Sequence, residues 1–402
     1  MKYANLPILM FASVYFTVGW RLTINVSAVE DNIVKAAVSA SALSSPLQQA
    51  GEQSEKAIVA QKQLARLNVP YTEEAFVSSA ARGDVRTIAL FLDSGLSPNA
   101  RNQDGFTALM WAAGQGHLAV VEMLLAKGAE INAASKDGTT ALMTASSQGH
   151  IQIAKLLIAK GAAVDARRAD GWTPLIWSAA EGRDESVKLL LSSDAEINTT
   201  DSHGVSPLIY AAANITEEDP TGKTLPVVKT LLANGAIVDQ RAADGSTALM
   251  WAAKKGEESV LQVLLSKGAD VNSVDKEGKT PLMYAAAGEA APSIAEALIA
   301  KGADVNARDK NGVTALLIAA RRRKPGMVQT LLAKGADPDA SDNYGTTALM
   351  TAVKMSRVDN LKALLDGGAR RELKDNTGRT ASDLAKANHQ DNILSILKEV
   401  RR

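Results

Sequence analysis

The chain has 402 residues, in which 44 Lys and Arg balance 44 Asp and Glu, so its formal net charge is zero and no global field attracts nucleic acid or an anionic membrane. It contains no cysteine, which excludes disulfides, thiolate metal sites and cysteine nucleophiles. Only four histidines occur and aromatic residues make up 4%, which argues against an enzyme. Alanine, leucine and glycine dominate instead, a profile that favours short helices and tight turns.

Residues 1–28 have the parts of a secretory signal. Lys2 precedes an almost continuous apolar stretch from Leu6 to Trp20, and small residues follow up to Ala28. The stretch is shorter than the ~20 residues that a membrane-spanning helix needs. We favour cleavage after Ala28; an uncleaved anchor, or a buried segment of a cytoplasmic protein, are the alternatives. The first two export the remaining chain, which would be periplasmic or extracellular, or anchored to the inner membrane and facing outward.

Residues 29–70 are rich in Ala, Ser, Gln and Glu. Residues 54–68 could form a polar helix, but they lack a broad apolar face. We therefore expect residues 29–70 to be a partly helical linker that tethers the domain after it.

Residues 71–402 repeat one string, seen as Asp-Gly-Phe-Thr-Ala-Leu at 104–109 and as Asp-Gly-Trp-Thr-Pro-Leu at 170–175. Successive glycines of this string are 33, 33, 33, 41, 33, 34, 33 and 33 residues apart. In each unit a Thr or Ser is predicted to cap a short first helix, sometimes with proline at its first position. Gly128 and its equivalents end the second helix, and the Asp-Gly pairs form tight turns. The predicted caps are Thr107, Thr140, Thr173, Ser206, Thr247, Thr280, Thr314 and Thr347.

This unit resembles the ankyrin repeat. It shares the patterns Gly-x-Thr-Pro-Leu-x-x-Ala-Ala, Gly-His and Leu-Leu-x-x-Gly-Ala-x-Val-Asn, over about ten repeats from Tyr71 to Arg402. The resemblance implies an all-α solenoid of stacked helix-turn-helix units with hairpin loops, in which neighbouring repeats provide each other's core. It also implies a protein–protein interaction scaffold whose concave surface binds partners.

Three departures from the family pattern stand out. The histidine that usually follows Pro-Leu is replaced by an apolar residue such as Met110 or Ile176, so packing is expected to replace a polar network. Asp194 stands where other repeats have their terminal glycine, and it must adopt a left-handed conformation. An insertion at 214–224 lies between two helices, and it is either a tolerated surface loop or a binding loop.

One line of the first helices carries large aromatic side chains. At 100° per residue, Leu109, Ala112 and Ala113 share the buried face of their helix, and Trp111 points away from it. The equivalent outward positions are Trp111, Trp177, Tyr210, Trp251 and Tyr284. Such a row suits a partner-binding surface, but the same side chains can also pack against their equivalents in adjacent repeats.

Basic residues on this line are confined to the C-terminal half. Lys254 and Lys255 follow Trp251, and Arg321 and Arg322 follow Ile318. One interpretation is an acidic partner that docks on these four side chains; the other is a solvated basic turn.

No motif assembles an active site. His117 and His150 occupy the same position one repeat apart, which is typical of structural turn residues. The string Thr221-Gly-Lys-Thr224 lacks the first glycine and the preceding strand of a phosphate-binding loop. We therefore predict a non-enzymatic scaffold for a protein or peptide partner, without cofactor, metal or nucleic acid. A membrane-anchored envelope organiser is the alternative, and an enzyme subunit or small-molecule sensor is less favoured.

Overall fold

The structure is a computed structural model that describes residues 48–213 and 223–399. The apolar stretch at 6–20, the predicted cut after Ala28 and most of the insertion at 214–224 lie outside these ranges. Within them the fold is an all-α repeat solenoid of 21 helices, as predicted. Strand-like pairing among the described residues is limited to two isolated antiparallel bridges, each within a single turn, which join Arg101 to Thr107 and Ser341 to Thr347.

Helix α1 is followed by ten helix pairs, one for each predicted repeat. The bounds are α1 Gln48–Arg66; α2 Glu73–Ala81 and α3 Val85–Asp93; α4 Ala108–Gln115 and α5 Leu118–Ala126; α6 Ala141–Gln148 and α7 Ile151–Ala159; α8 Pro174–Ala180 and α9 Asp184–Leu191; α10 Pro207–Ala213 and α11 Thr224–Ala233; α12 Ala248–Lys255 and α13 Glu258–Ser266; α14 Pro281–Ala287 and α15 Pro292–Ala300; α16 Ala315–Arg321 and α17 Pro325–Ala333; α18 Ala348–Lys354 and α19 Val358–Asp366; α20 Ala381–Ala387 and α21 Asp391–Lys398.

The first helix of each pair begins at the predicted cap. The Thr173 hydroxyl accepts a hydrogen bond from the amide of Ile176 at 3.2 Å, and Pro174 occupies the first helical turn. The same hydroxyl-to-amide bond is present at the other predicted caps, Thr107, Thr140, Ser206, Thr247, Thr280, Thr314 and Thr347. The cap prediction is therefore confirmed in every repeat where it was made.

The second helices end in a left-handed residue. Gly128 has φ 85°, and Asp194, which replaces the glycine of its repeat, has φ 64°. A side chain in this conformation costs roughly 1–2 kcal/mol, so the turn at Asp194 is a local weakness, as the sequence indicates.

The core is continuous from repeat to repeat. Leu109, Met110, Ala112 and Leu124 are all fully buried, and each repeat contributes equivalents to one cluster. Substantial helix contacts occur only within a repeat or between adjacent repeats. Met110 and its equivalents are buried where the family usually has histidine, so apolar packing replaces the polar network.

Helix α1 lies within the predicted linker, and its C-terminal part packs on the first repeats. Ala60 and Leu64 are 3% and 1% exposed, and Leu64 belongs to the same core cluster as the first repeats. Because Leu64 packs on the first repeats, this helix covers the apolar end of the array. Burial of one leucine side chain contributes about 2 kcal/mol to the stability of the fold. Helix α1 thus packs through two buried residues, although residues 54–68 lack a broad apolar face.

Among the described residues, no helix has both the length and the apolar character that a membrane span requires.

Adjacent repeats also interlock at the turn between their two helices. His150 Nε2 lies 3.0 Å from the carbonyl oxygen of Gly114 in the preceding repeat, and His117 Nε2 lies 3.0 Å from that of Ala81. The imidazole of His150 fits against Gly116, where a Cβ would lie 2.6 Å from its Cε1. The two histidines are therefore structural, as predicted.

This interlock predicts unequal effects of two glycine substitutions. Gly116 and Gly128 have nearly the same positive φ, 82° and 85°, but an added Cβ at Gly128 would meet nothing within 4 Å. Gly128→Ala should destabilise the array by about 1 kcal/mol through its backbone alone. Gly116→Ala should destabilise it by about 1–3 kcal/mol more, because the new methyl displaces His150. Urea unfolding followed by circular dichroism measures both, and equal losses would show that the interlock is loose.

Candidate partner-binding surface

The predicted outward positions lie at equivalent places on the first helices, and the first helices of adjacent repeats pack against each other. We call this set the aromatic row: Trp111, Thr144, Trp177, Tyr210, Trp251, Tyr284, Ile318 and Thr351. The three tryptophans and Tyr284 are half-buried, in line with the helical wheel. Tyr210 differs, since it is only 5% exposed. It therefore contributes to packing more than to an accessible surface.

Tyr210 is buried by a cluster that involves its own repeat and the one before. The Trp172 ring, from the turn before α8, lies edge-on to Tyr210 with a centroid distance of 4.9 Å, and edge-on to Trp177 at 6.2 Å. Ile176 and Val205 complete a small apolar cluster beside the main core. The packing interpretation of the row thus applies here.

A buried arginine sits on this cluster. The Arg168 guanidinium carbon lies 5.0 Å from the Trp177 ring centroid, and its side chain is 10% exposed. One terminal nitrogen is 3.3 Å from a carboxylate oxygen of Asp137 and 3.3 Å from one of Asp170. Burial alone would raise the pKa of Asp137, but hydrogen bonds from Ser135 and Thr139, together with the Arg168 charge, lower it. The charge of Arg168 is therefore balanced inside the protein.

Both tyrosines of the row bind an aspartate at the start of their own repeat's turn. Tyr210 donates to Asp201 Oδ2 at 2.6 Å, and Tyr284 donates to Asp275 Oδ2 at 2.9 Å. Sequence reasoning missed these pairs and also Trp172 and Arg168. The Asp–Tyr pairs could have been found in the sequence, because two repeats each have an Asp and a Tyr nine residues apart. The contacts of Arg168 could not, because its two Asp partners come from separate turns.

A second aromatic cluster lies in the C-terminal half. The Trp251 and Tyr284 rings, from adjacent repeats, meet edge-on at 6.3 Å, and Trp251 Nε1 donates to Ser246 Oγ at 3.0 Å. Lys254 Nζ lies 4.5 Å from the Trp251 ring centroid. In this cluster the aromatic rings pack against each other across the repeat boundary and also remain partly exposed.

The four predicted basic residues have different roles. Burial lowers the pKa of Lys254, and the charges of Lys255, Lys279 and Arg322 lower it further. Lys255 and Arg321 are exposed. Arg322, however, donates to the carbonyl oxygen of Ala287 in the preceding repeat, the same kind of contact that His150 makes. We therefore assign Arg322 a structural contact, although its charge still acts on Lys254.

An open groove follows these residues at the C-terminal end of the row. Its volume is about 460 Å³, and it runs over the last three repeats. Tyr344 and Met355 line it and are 72% and 38% exposed, and the basic side chains of Arg321 and Lys354 stand beside them.

The chain matches a family model that is described as ankyrin repeats (3 copies), and it does so in several overlapping segments. These are residues 55–135, 76–168, 132–201, 164–220, 208–309, 286–375 and 316–400, which together run from residue 55 to residue 400. The chain belongs to the ankyrin repeat family. Ankyrin repeats are generally protein–protein interaction modules. No curated protein matches the chain closely enough to count as a relative.

The ankyrin match begins at residue 55, within helix α1. This agrees with the burial of Leu64 in the core of the array. Within the described part of the chain, no group of His, Asp or Glu side chains is arranged to hold a metal ion.

The Tyr210–Asp201 pair makes the stability of the ankyrin array depend on pH in the alkaline range. Burial, the hydrogen bond to Asp201 and the charge of that carboxylate raise the pKa of Tyr210. Above about pH 10 the unfolded chain loses this phenol proton while the folded chain keeps it, so the stability that is complete below pH 10 falls as the pH rises.

We therefore expect the free energy of unfolding to fall more steeply with pH in the wild type than in Tyr210→Phe. The difference in slope should be at most about 1.4 kcal/mol per pH unit above pH 10. Urea titrations between about pH 9 and 11 measure both slopes. Identical slopes would mean that Tyr210 ionises in the folded protein as it does in the unfolded chain.

Proposed function

We propose that this ankyrin array is a non-enzymatic scaffold that binds a protein or peptide on its concave surface. The observation that carries the proposal is the aromatic row itself. Trp111, Trp177 and Trp251 remain half-buried while the flanking Leu and Ala side chains of the same helices are fully buried. Large amphipathic rings that are held rigidly but left partly open are typical of binding hot spots.

The surface is rigid before a partner arrives. At each turn, a backbone amide donates to the carbonyl of the preceding turn, as Ala169 does to Asp137 at 2.8 Å and Lys276 does to Asp244 at 2.8 Å. A second series of side chains accepts an amide of the next repeat. Its members are Asn99, Asn132, Asp165, Asn198, Asp239, Asn272, Asn306 and Asp339. Because these bonds fix the spacing of repeats, binding orders little of the scaffold.

We also propose that the array is exported. Lys2, the apolar stretch from Leu6 to Trp20 and the small residues up to Ala28 support a cleaved signal peptide. The absence of cysteine suits an exported protein that folds without disulfide formation. If the segment is retained instead, the array would be an envelope organiser held at the membrane.

The scaffold proposal predicts that partner capture depends on the aromatic row. Full-length protein used as bait in a lysate of the source cells should recover specific proteins, and Trp111, Trp177 and Trp251 all changed to Ala should lose them. The matched control changes three exposed residues of second helices to Ala, namely Glu122, Lys155 and Gln262, and should retain them. Circular dichroism must show that both variants are folded, and equal recovery by all three baits would exclude this surface.

The export proposal predicts the mature N-terminus. Intact-mass measurement of the protein isolated from its native cells should give a chain that starts at Val29. A chain that still carries residues 1–28 and sediments with membranes would favour the anchored organiser. A retained N-terminus in the soluble cell interior would contradict export altogether.

A further inference from the structure

Two cations lie against rings of the aromatic row, and they differ in what balances their charge. Arg168 is 3.3 Å from both Asp137 and Asp170, so its charge is satisfied within the protein. Lys254 lies over Trp251 at 4.5 Å and forms no ion pair among the described residues. The N-terminal cluster is therefore closed, and the C-terminal cluster has a positive charge without a counter-ion.

The surroundings of Lys254 add to the positive electrostatic potential at this site. Lys255, Lys279 and Arg322 are the cations close enough to act on it, and Asp244 is the acidic group that opposes them. Tyr284, its aromatic neighbour across the repeat boundary, already uses Asp275 as a hydrogen-bond acceptor. An external carboxylate at this position would relieve the repulsion among the three lysines and Arg322.

The groove, which begins two repeats further on, also carries cations without a counter-ion. Arg321 and Lys354 are exposed and form no ion pair among the described residues. The carboxylates that line the groove are engaged in their own turns. Asp342 Oδ1 accepts the amides of Tyr344 and Thr346 at 2.9 and 2.8 Å, and Asp375 Oδ2 pairs with Arg379 at 3.1 Å.

The groove also offers apolar area beside these cations. Tyr344 is 72% exposed and Met355 38%, and both line its volume of about 460 Å³ together with Val313. An apolar side chain of a partner would remove this area from water, whereas an anion alone would leave it exposed.

We propose that the stretch from Lys254 to Lys354 binds an extended acidic peptide segment, with carboxylates at Lys254 and at Arg321 and Lys354 and one apolar side chain in the groove. This inference rests on the proposed scaffold function and names its partner class. Three steps between repeats, at about 8–10 Å each, separate the two ends. An extended segment of about eight residues spans that distance at ~3.3 Å per residue.

The same surface fits single-stranded nucleic acid less well. Base stacking needs an open aromatic face, but Lys254 covers one face of Trp251 and the Tyr284 ring meets it edge-on. The formal net charge of the chain is zero, so no long-range field assists a polyanion. The surface has positive charge at two separated points and an apolar groove beside one of them. This arrangement fits a peptide with spaced carboxylates better than a uniform phosphate backbone.

The experiment selects binders from a displayed library of random peptides of about ten residues, with the full-length protein as target. The selected peptides should be rich in Asp and Glu and carry a Leu, Phe or similar residue towards one end. Fluorescence anisotropy with the best peptide should show a Kd about tenfold weaker or more when Lys254, Arg321 and Lys354 are changed to Ala. The wild-type Kd should also weaken as salt is raised.

The matched control removes three exposed lysines from second helices, Lys155→Ala, Lys229→Ala and Lys362→Ala, and should bind as the wild type does. Selection of neutral or basic peptides, or an equal loss of peptide affinity in both triple variants, overturns the acidic site.

If the neutral or basic peptides depend on Trp111 and Trp177 for binding, the scaffold proposal stands without this site. A single-stranded oligonucleotide of equal charge that binds more tightly than the peptide, and is lost in the first triple variant, would assign the site to nucleic acid. If no peptide is enriched and the row captures no partner, both proposals fail.

Discussion

A single repeat of this chain cannot bury its own apolar side chains, and every other feature of the structure depends on that constraint. A pair of helices of seven to ten residues exposes its leucines and alanines unless another pair lies on each side. The buried residues accordingly form one cluster that continues through the array, and helix α1 closes its N-terminal end with Leu64. Stacking then brings corresponding residues of adjacent repeats together, which is how a 33-residue period becomes a continuous surface.

Most repeats also place a hydrogen-bond donor at the turn between their two helices, and its residue type varies. His117, Arg183, Arg357 and Gln390 each contact a backbone carbonyl oxygen of the preceding repeat. Any long side chain with an N–H can therefore serve. At the same position, Lys324 donates to the carbonyl oxygen of Gly288, and Arg322, two residues earlier, donates to that of Ala287. A basic residue near this turn is thus ambiguous until its partners are known, because a structural donor and a solvent-facing cation have the same sequence signature.

This ambiguity marks the boundary of what the sequence could predict. The repeat period, the Thr caps, the left-handed Asp194 and the structural role of His150 all follow from rules that act within a few residues, and the structure bears them out. The helical wheel also found the half-buried tryptophans. It could not show that Tyr210 is buried, because the ring that covers it, Trp172, lies on a turn and not on the same helix. Sequence reasoning also described the polar helix before the repeats only as part of a linker, since two buried residues, Ala60 and Leu64, do not make a broad apolar face.

The same reasoning separates the two halves of the aromatic row. A guanidinium can bridge two carboxylates and still lie flat on a ring, and Arg168 does so with Asp137, Asp170 and Trp177. An ammonium over a single ring, as in Lys254, satisfies its charge only in part, since a cation–π contact is worth about 0.5–2 kcal/mol and supplies no counter-charge. The Arg168 cluster therefore rigidifies the array and presents little unbalanced charge to a partner. The Lys254 cluster has a similar aromatic framework, but its lysine forms no ion pair among the described residues. The proposed recognition of an acidic partner therefore uses the C-terminal repeats, even though the tryptophans are spread over both halves.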